Sequence, residues 1–313
     1  MSLITVFPGQ GSQSLGMLAD LADNAVVKAT FDQARDAIGI DLWAISQDGP
    51  EAELNKTENT QPALLAASVA LWRAWLDQGG EMPIALAGHS LGEYSALVAA
   101  GAIEFADAVR LVKLRGELMQ LAVPAGVGGM AAVIGMEDNL VIAMCDEITQ
   151  NMNGESVSAA NFNAPGQVVV AGSAAAVAQV VERGKEYGAR MVKPLAVSVP
   201  SHCALMQPVA EQFADALAAV KISLPSIPVI QNVDAAASTS VDEIRSKLKA
   251  QLSDSVRWVA CMNTMIGMGA TRCIELGPGN VLSGLNKRIA KTAGAELKTE
   301  SINSAASLAS AIA

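Results

Sequence analysis

Histidine and cysteine are scarce in this 313-residue chain: His89 and His202 are the only imidazoles. Cys145, Cys203, Cys261 and Cys273 lie far apart, without metal-ligand spacing or a Cys-x-x-Cys pair. They read as small core or near-site residues in a reducing cytosol. Basic residues are outnumbered, and a net charge of −10 argues against general nucleic-acid binding. No apolar run reaches the length of a membrane span, although the mean hydropathy is +0.33. The richest run, Ala63 to Trp72, is interrupted by Ser68 and stops at Arg73. Met1 to Gly9 shows neither a basic segment nor a cleavage site, so a cytoplasmic protein without export signal or membrane attachment is expected. The Gly-rich stretch Pro8 to Gln13 lacks the Gly-Lys-Ser/Thr of a nucleotide phosphate loop, and Gly-x-Gly-x-x-Gly does not occur there.

What the chain does have is apolar bulk, 51% of residues, and one stretch of high information, Gly88-His89-Ser90-Leu91-Gly92. An apolar run (Ile84 to Ala87) precedes it and a helix-like run (Glu93 to Ala100) follows. Strand, sharp turn and helix around Gly-x-Ser-x-Gly is the setting in which a serine hydroxyl is held on a strained elbow. The helix opening behind Ser90 points free N–H groups and the positive end of its dipole at the hydroxyl, a setting for an oxyanion. Serine needs a base within reach. The side chain next to an elbow serine generally points away, which leaves His202 as the candidate. Asp107, Asp138 and Asp146 lie between Ser90 and His202, but none stands after a strand as a triad acid would. A Ser–His dyad, its imidazole oriented by a backbone carbonyl or amide, fits at least as well.

Strands are expected at 3–7, 84–87, 227–232 and 272–276, alternating with helices at 25–38, 59–76, 93–100, 107–122, 202–220, 241–252, 256–268 and 280–290. Alternation of this kind implies a hydrolase-like, doubly wound α/β domain with a mainly parallel sheet. On helix 107–122, Leu111, Leu114, Leu118 and Leu121 form one apolar stripe, with Arg115 and Arg110 on opposite margins, so periodicity does not choose between the two arginines. Between 125 and 197 the texture changes. Strands at 130–134, 156–161, 167–171 and 190–197 enclose helices at 137–149 and 173–187, the second N-capped by Ser173, with Asn163 to Gly166 as a turn. The order βαββαβ is ferredoxin-like. Residues 125–197 are therefore read as a small domain inserted into a large one, 1–124 with 198–313. A cleft between two such domains is a frequent ligand site.

Six motifs occur here in one order. They are Phe7-Pro8-Gly9-Gln10-Gly11-Ser12-Gln13, Gly88 to Tyr94, Leu114-Arg115-Gly116, Asn161-x-Asn163-x-Pro165-Gly166-Gln167, Pro200-Ser201-His202 and Glu275-Leu276-Gly277-Pro278-Gly279. Together, from residue 4 to about residue 290, the chain resembles the malonyl-CoA:acyl carrier protein transacylases of bacterial fatty acid synthesis. The resemblance implies that Ser90 is acylated, that His202 is its base, and that Arg115 grips the malonyl carboxylate. It further implies an oxyanion hole from the N–H groups of Gln10 and Leu91, and a Gln251 carbonyl that orients the histidine. Asn161 and Asn163 would face the site, although turn-forming asparagines before Pro165 remain an alternative. No metal or redox cofactor is implied; the substrates are malonyl-CoA and phosphopantetheinylated acyl carrier protein. That acidic partner needs a local basic patch, for which Lys287, Arg288 and Lys291 are candidates, with Lys185 and Arg190 as a second group. Two other classes share some of these features: a serine thioesterase or esterase of α/β-hydrolase type, and a non-catalytic carrier-protein-binding module.

Overall fold

The computed structural model describes residues 2–124, 126–195 and 199–312. In chain order the elements are β1 (Leu3–Phe7), α1 (Ala25–Ile38), α2 (Leu42–Asp48), α3 (Glu51–Leu54), α4 (Thr57–Asp77), β2 (Ala85–Gly88), α5 (Gly92–Ala99) and α6 (Phe105–Ala122). Then come β3 (Gly128–Ile134), α7 (Asp138–Asn151), β4 (Val157–Ala164), β5 (Gln167–Ser173), α8 (Ala174–Arg183) and β6 (Met191–Pro194). The chain closes with α9 (Gln207–Ala219), β7 (Val229–Ile230), α10 (Val241–Ala250), α11 (Trp258–Gly267), β8 (Arg272–Leu276), α12 (Val281–Thr292), β9 (Lys298–Ile302) and α13 (Ala305–Ile312).

Five strands form a parallel sheet in the order β7-β2-β1-β8-β9. Alternate side chains of a strand point to opposite faces, and β1 shows the result. Leu3 and Phe7 enter one apolar core with α1, α4, α5, α6 and α9, while Ile4 and Val6 enter another with α11 and α12. A sheet buried on both faces explains why its strands read as continuous apolar runs. β1 and β2 are neighbours with Phe7 opposite Gly88, so the loops after both strands emerge side by side. That register brings the Gly9–Ser12 loop to the Gly88–Gly92 elbow.

The second sheet is antiparallel, ordered β4-β5-β3-β6, with α7 and α8 packed on one face over their own core. Numbered within the unit this is 2-3-1-4, the ferredoxin-like arrangement. We propose this unit as a domain spanning 125–197, inserted between 1–124 and 198–313; Ala125 and the segment 196–198 at its borders lie outside the described residues. The opposite sheet face, with Met130, Ala160, Val169 and Ala171, packs with Cys203 of the large unit. A bridge between β4 and Val256 adds two backbone bonds, Phe162 N–H to Val256 O at 2.9 Å and Val256 N–H to Ala160 O at 2.9 Å.

Several expectations are corrected. The leucine stripe of α6 only borders its buried face: Leu111 is buried and Leu121 is 80% exposed, and the inward face is made by Leu111 with Ala108, Val112, Arg115 and Met119. Gly116 sets that face, because a Cβ there would come within 2.7 Å of the Thr57 carbonyl oxygen on α4. Ser173 takes the N-cap position of α8 as expected, but its hydroxyl makes no cap bond and turns to the Ser156 carbonyl instead. β4 runs on through Asn163 to Ala164, leaving Pro165-Gly166 as the turn. The strand expected at 190–197 ends at Pro194, and its last two residues lie outside the described ones. The strand expected at 227–232 shortens to two residues, while α2, α3, β9 and α13 had no counterpart in the sequence reading.

Candidate active site

Ser90 sits at φ 51°, in the left-handed region that costs an ordinary L-residue roughly 1–2 kcal/mol. The flanking glycines make the bend sterically feasible. A Cβ on Gly88 would fall 1.9 Å from the Gly92 backbone, and one on Gly92 would fall 2.1 Å from the Phe7 carbonyl oxygen. Strand, elbow and helix therefore touch backbone to backbone, with α5 beginning at Gly92 directly behind the serine.

His202 also has a positive φ, 62°, and its backbone N–H donates to Leu252 O at 3.1 Å. Its ring lies between two partners. Nε2 is 2.8 Å from Ser90 Oγ, and Nδ1 is 2.6 Å from the Gln251 carbonyl oxygen. A carbonyl only accepts, so Nδ1 carries the proton and, in the neutral ring, Nε2 presents its lone pair to the serine hydroxyl. Burial, and then the charge of Arg115, push the His202 pKa down to about 3, so the ring is neutral at physiological pH. The ring is held by a carbonyl, and Asp107 is engaged with Arg110 on the surface of α6.

Arg115 projects from the buried face of α6 and is 1% exposed. Nη1 donates to Gln61 Oε1 at 2.8 Å, and Nη2 donates to Gln251 Oε1 at 3.2 Å and Ser90 Oγ at 3.4 Å. Nε finds no acceptor among the described residues. These bonding partners are all neutral, so a buried cation points at the Ser90 hydroxyl without a bonded counter-charge. Burial lowers its pKa from the usual guanidinium range. Arg110, by contrast, is exposed and paired with Asp107 at 3.0 Å. The structure thus separates the two arginines that periodicity left equivalent.

Gln10 and Leu91 bring two backbone N–H groups to the same cleft, and neither donates to a protein acceptor among the described residues. Asn161 and Asn163 line the cleft from β4. Asn163 Oδ1 is 2.7 Å from His89 Nε2, so the second histidine contacts the small domain, not Ser90. The cleft has a volume of ≈ 240 Å³, and Met130, Val169 and Leu195 give it an apolar lining.

Sequence reasoning missed the groups beneath these residues. Gln61 holds Arg115. Asn232 accepts from the Ser90 N–H at 2.7 Å. Glu93, fully buried, accepts from the Asn232 N–H at 2.7 Å and from Gln231 Nε2 at 3.0 Å. Burial lifts the Glu93 carboxyl to about 7 against those two bonds. One signal was present: each is a polar residue inside or capping an apolar run.

Residues 4–301 match the family model described as an acyl transferase domain. The malonyl CoA-acyl carrier protein transacylase of Salmonella typhimurium is 52% identical, over 98% of this chain and 97% of its own length. That of Haemophilus influenzae is 53% identical, over 96% and 95%. A crystal structure of an acyl carrier protein S-malonyltransferase from Vibrio cholerae superposes with a TM-score of 0.95 at 53% identity, covering 99% of both chains. A malonyl-transacylase solved in complex with its type II polyketide synthase acyl-carrier protein superposes at 0.96 with 50% identity, over 100% of this chain and 99% of that one. With identity of this order spread over nearly its whole length, the chain belongs to the acyl transferase family, among the malonyl CoA-acyl carrier protein transacylases.

Proposed function

We propose that this chain transfers malonyl from malonyl-CoA to the phosphopantetheine thiol of an acyl carrier protein through an ester on Ser90, supplying the extender unit for fatty acid synthesis. The observation that carries the reading is a serine 2.8 Å from a neutral imidazole, beside a buried arginine whose hydrogen bonds go to neutral groups. In the first half-reaction Ser90 Oγ bonds to the thioester carbon while its proton passes to His202 Nε2. The N–H groups of Gln10 and Leu91 receive the oxyanion. The carbon–sulfur bond then breaks, and the imidazolium protonates the departing CoA thiolate. The carrier-protein thiol attacks the seryl ester by the reverse sequence, giving its proton to His202 and returning Ser90.

Arg115 selects the acyl group. A guanidinium holds a carboxylate through two parallel charge-assisted bonds. An acetyl group would leave the cation uncompensated. Because the Arg115 charge also depresses His202, a bound carboxylate that offsets this charge raises the basicity of the imidazole as it docks. Malonyl binding and activation of the base are in this way linked.

The apolar wall of Met130, Val169 and Leu195 limits water at the ester. No helix among the described residues is long and apolar enough to cross a membrane. A cytoplasmic setting agrees with four buried, unpaired cysteines. Carrier protein would dock through exposed Lys287, Arg288 and Lys291 on α12, the helix whose first residues Val281, Leu282 and Leu285 line the cleft. Arg288 is in part committed already, to Gln167 Oε1 at 2.6 Å and Pro165 O at 3.0 Å across the domain junction. Lys185 and Arg190 are exposed on the small domain as a second group.

The test is transfer of malonyl from malonyl-CoA to phosphopantetheinylated carrier protein. The parent should turn over and Ser90→Ala should be inactive. Retained transfer in Ser90→Ala rules the mechanism out, and release of free malonate in place of transfer would make the protein a thioesterase.

A further inference from the structure

Asn232 follows β7, 142 residues from the nucleophile, and is fully buried. Its side-chain amide spans the elbow. Oδ1 accepts from the Ser90 N–H at 2.7 Å, and Nδ2 donates to the Gly88 carbonyl at 2.7 Å. A donor on one side and an acceptor on the other fix which way the amide faces, because a flipped amide would oppose both. The Gln251 side chain completes the bracket, donating to Ser90 O at 3.0 Å and to Asn232 Oδ1 at 3.4 Å. The same Gln251 accepts from Arg115 and, through its carbonyl, orients His202. Asn232 is held in turn by Glu93 Oε2, which accepts its backbone N–H at 2.7 Å, while Oε1 takes Gln231 Nε2 at 3.0 Å. A fully buried carboxyl is costly to keep, and here both its oxygens are given to the two residues that follow β7.

We propose that Asn232 is the positioning residue of the nucleophile elbow, and that Glu93 acts through it. The inference rests on the Ser90 reading above. A left-handed serine persists where its surroundings over-determine it, and Asn232 satisfies both backbone groups that the bend leaves inside the protein. Without the amide, Ser90 N–H and Gly88 O lose partners in a buried setting, the elbow relaxes, and Oγ leaves its 2.8 Å contact with His202. Substrate binding should be spared, since neither the amide of Asn232 nor Glu93 lines the cleft.

The experiment measures the rate of malonyl adduct formation by rapid quench and intact mass, alongside the affinity for malonyl-CoA of each variant carried in a Ser90→Ala background. Asn232→Ala should slow acylation by about 10- to 100-fold, while affinity stays within about twofold. Asn232→Asp keeps the acceptor for the Ser90 N–H but loses the donor to Gly88, and should recover part of the rate. Glu93→Gln keeps one acceptor of two and should lose about 3- to 10-fold. Rates are compared per folded molecule, well below each melting temperature; if the alanine variant does not fold, Asn232→Asp and Glu93→Gln carry the test. Acylation at the parent rate per folded molecule overturns the proposal, as does a loss of affinity equal to the loss of rate. A parent that forms no adduct on Ser90 overturns the functional reading, and the elbow clamp with it.

Discussion

The two sheets face one cleft but contribute to it unequally. From the parallel sheet and its helices come Ser90, His202, Arg115, Gln251 and the N–H groups of Gln10 and Leu91, joined through Asn232 and Gln61. The antiparallel sheet brings apolar side chains and two asparagines, one of them bonded to His89. Charge-handling groups must be held to a fraction of an ångström, and the parallel sheet holds them in one rigid frame with its strand ends in register. The antiparallel sheet encloses and orients. The same contrast separates the two histidines: His202 touches Ser90 and His89 touches Asn163 of the small domain.

Removing groups from the parallel frame should therefore cost most. His202→Ala should slow acylation by about 10²- to 10⁴-fold, the range for loss of a general base, and His89→Ala by much less. Stopped-flow release of CoA measures both, and the reverse ranking would assign the base to the wrong imidazole. In the parent, the His202 pKa near 3 also fixes a pH dependence. The base form is lost only as pH falls through the depressed value, so no loss assignable to this imidazole should appear between pH 7 and 5. A drop centred on 6.5 that tracks His202 would contradict that environment.

Arg115→Ala should convert selectivity. Stranding a buried guanidinium costs about 2–4 kcal/mol, or ~30- to 1,000-fold in malonyl over acetyl kcat/KM. Malonyl transfer should fall while acetyl transfer holds or rises. Arg110→Ala, on the exposed face of the same helix, should change neither. Removing the Arg115 charge should also raise the His202 pKa, part of the way back toward 6.5 because burial remains its first cause. The acid limb of acetyl transfer should then begin at higher pH than in the parent.

Breaking the small-domain contribution should cost less. Asn163→Ala removes one hydrogen bond to His89, and steady-state kinetics should show a loss of about 2- to 10-fold, the worth of ~0.5–1.5 kcal/mol. A loss as large as that of His202→Ala would erase the division of labour between the sheets. The smallest effect is expected at the rim. Lys287→Glu with Lys291→Glu should raise KM for carrier protein about 2- to 5-fold, reduce its salt dependence, and leave malonyl-CoA kinetics unchanged. Equal damage to both substrates would place these lysines on CoA instead.

Much of this site was legible because its key signals are local or rare. Gly88 to Gly92 is a contiguous backbone solution, and His202 stands out where imidazoles number two. Arg115 was less legible from pattern alone. The leucine stripe of α6 is offset from its buried face, and that face is chosen by Gly116 meeting the α4 backbone, a contact between elements far apart in the chain. Asn232, Glu93 and Gln61 showed only as polar residues inside or capping apolar runs, and their roles were not legible, since each acts on a residue that only the folded sheet brings near. β9 was missed for a physical reason too. As the edge strand it reads Lys-Thr-Glu-Ser-Ile, with polar side chains where the inner strands are apolar. The short α2 and α3 lack the length over which periodicity becomes visible.

The central claim is that the parallel frame makes Ser90 an acyl carrier and that, behind the apolar wall of the antiparallel sheet, it gives its load to a thiol in preference to water. Peptide mapping after mixing with malonyl-CoA tests it most directly, followed by a chase with either phosphopantetheinylated carrier protein or buffer. A malonyl ester on the Ser90 peptide, discharged promptly by the carrier protein and slowly by buffer, is the predicted result. An adduct on another residue, or an ester lost to buffer as fast as to carrier protein, would contradict the account.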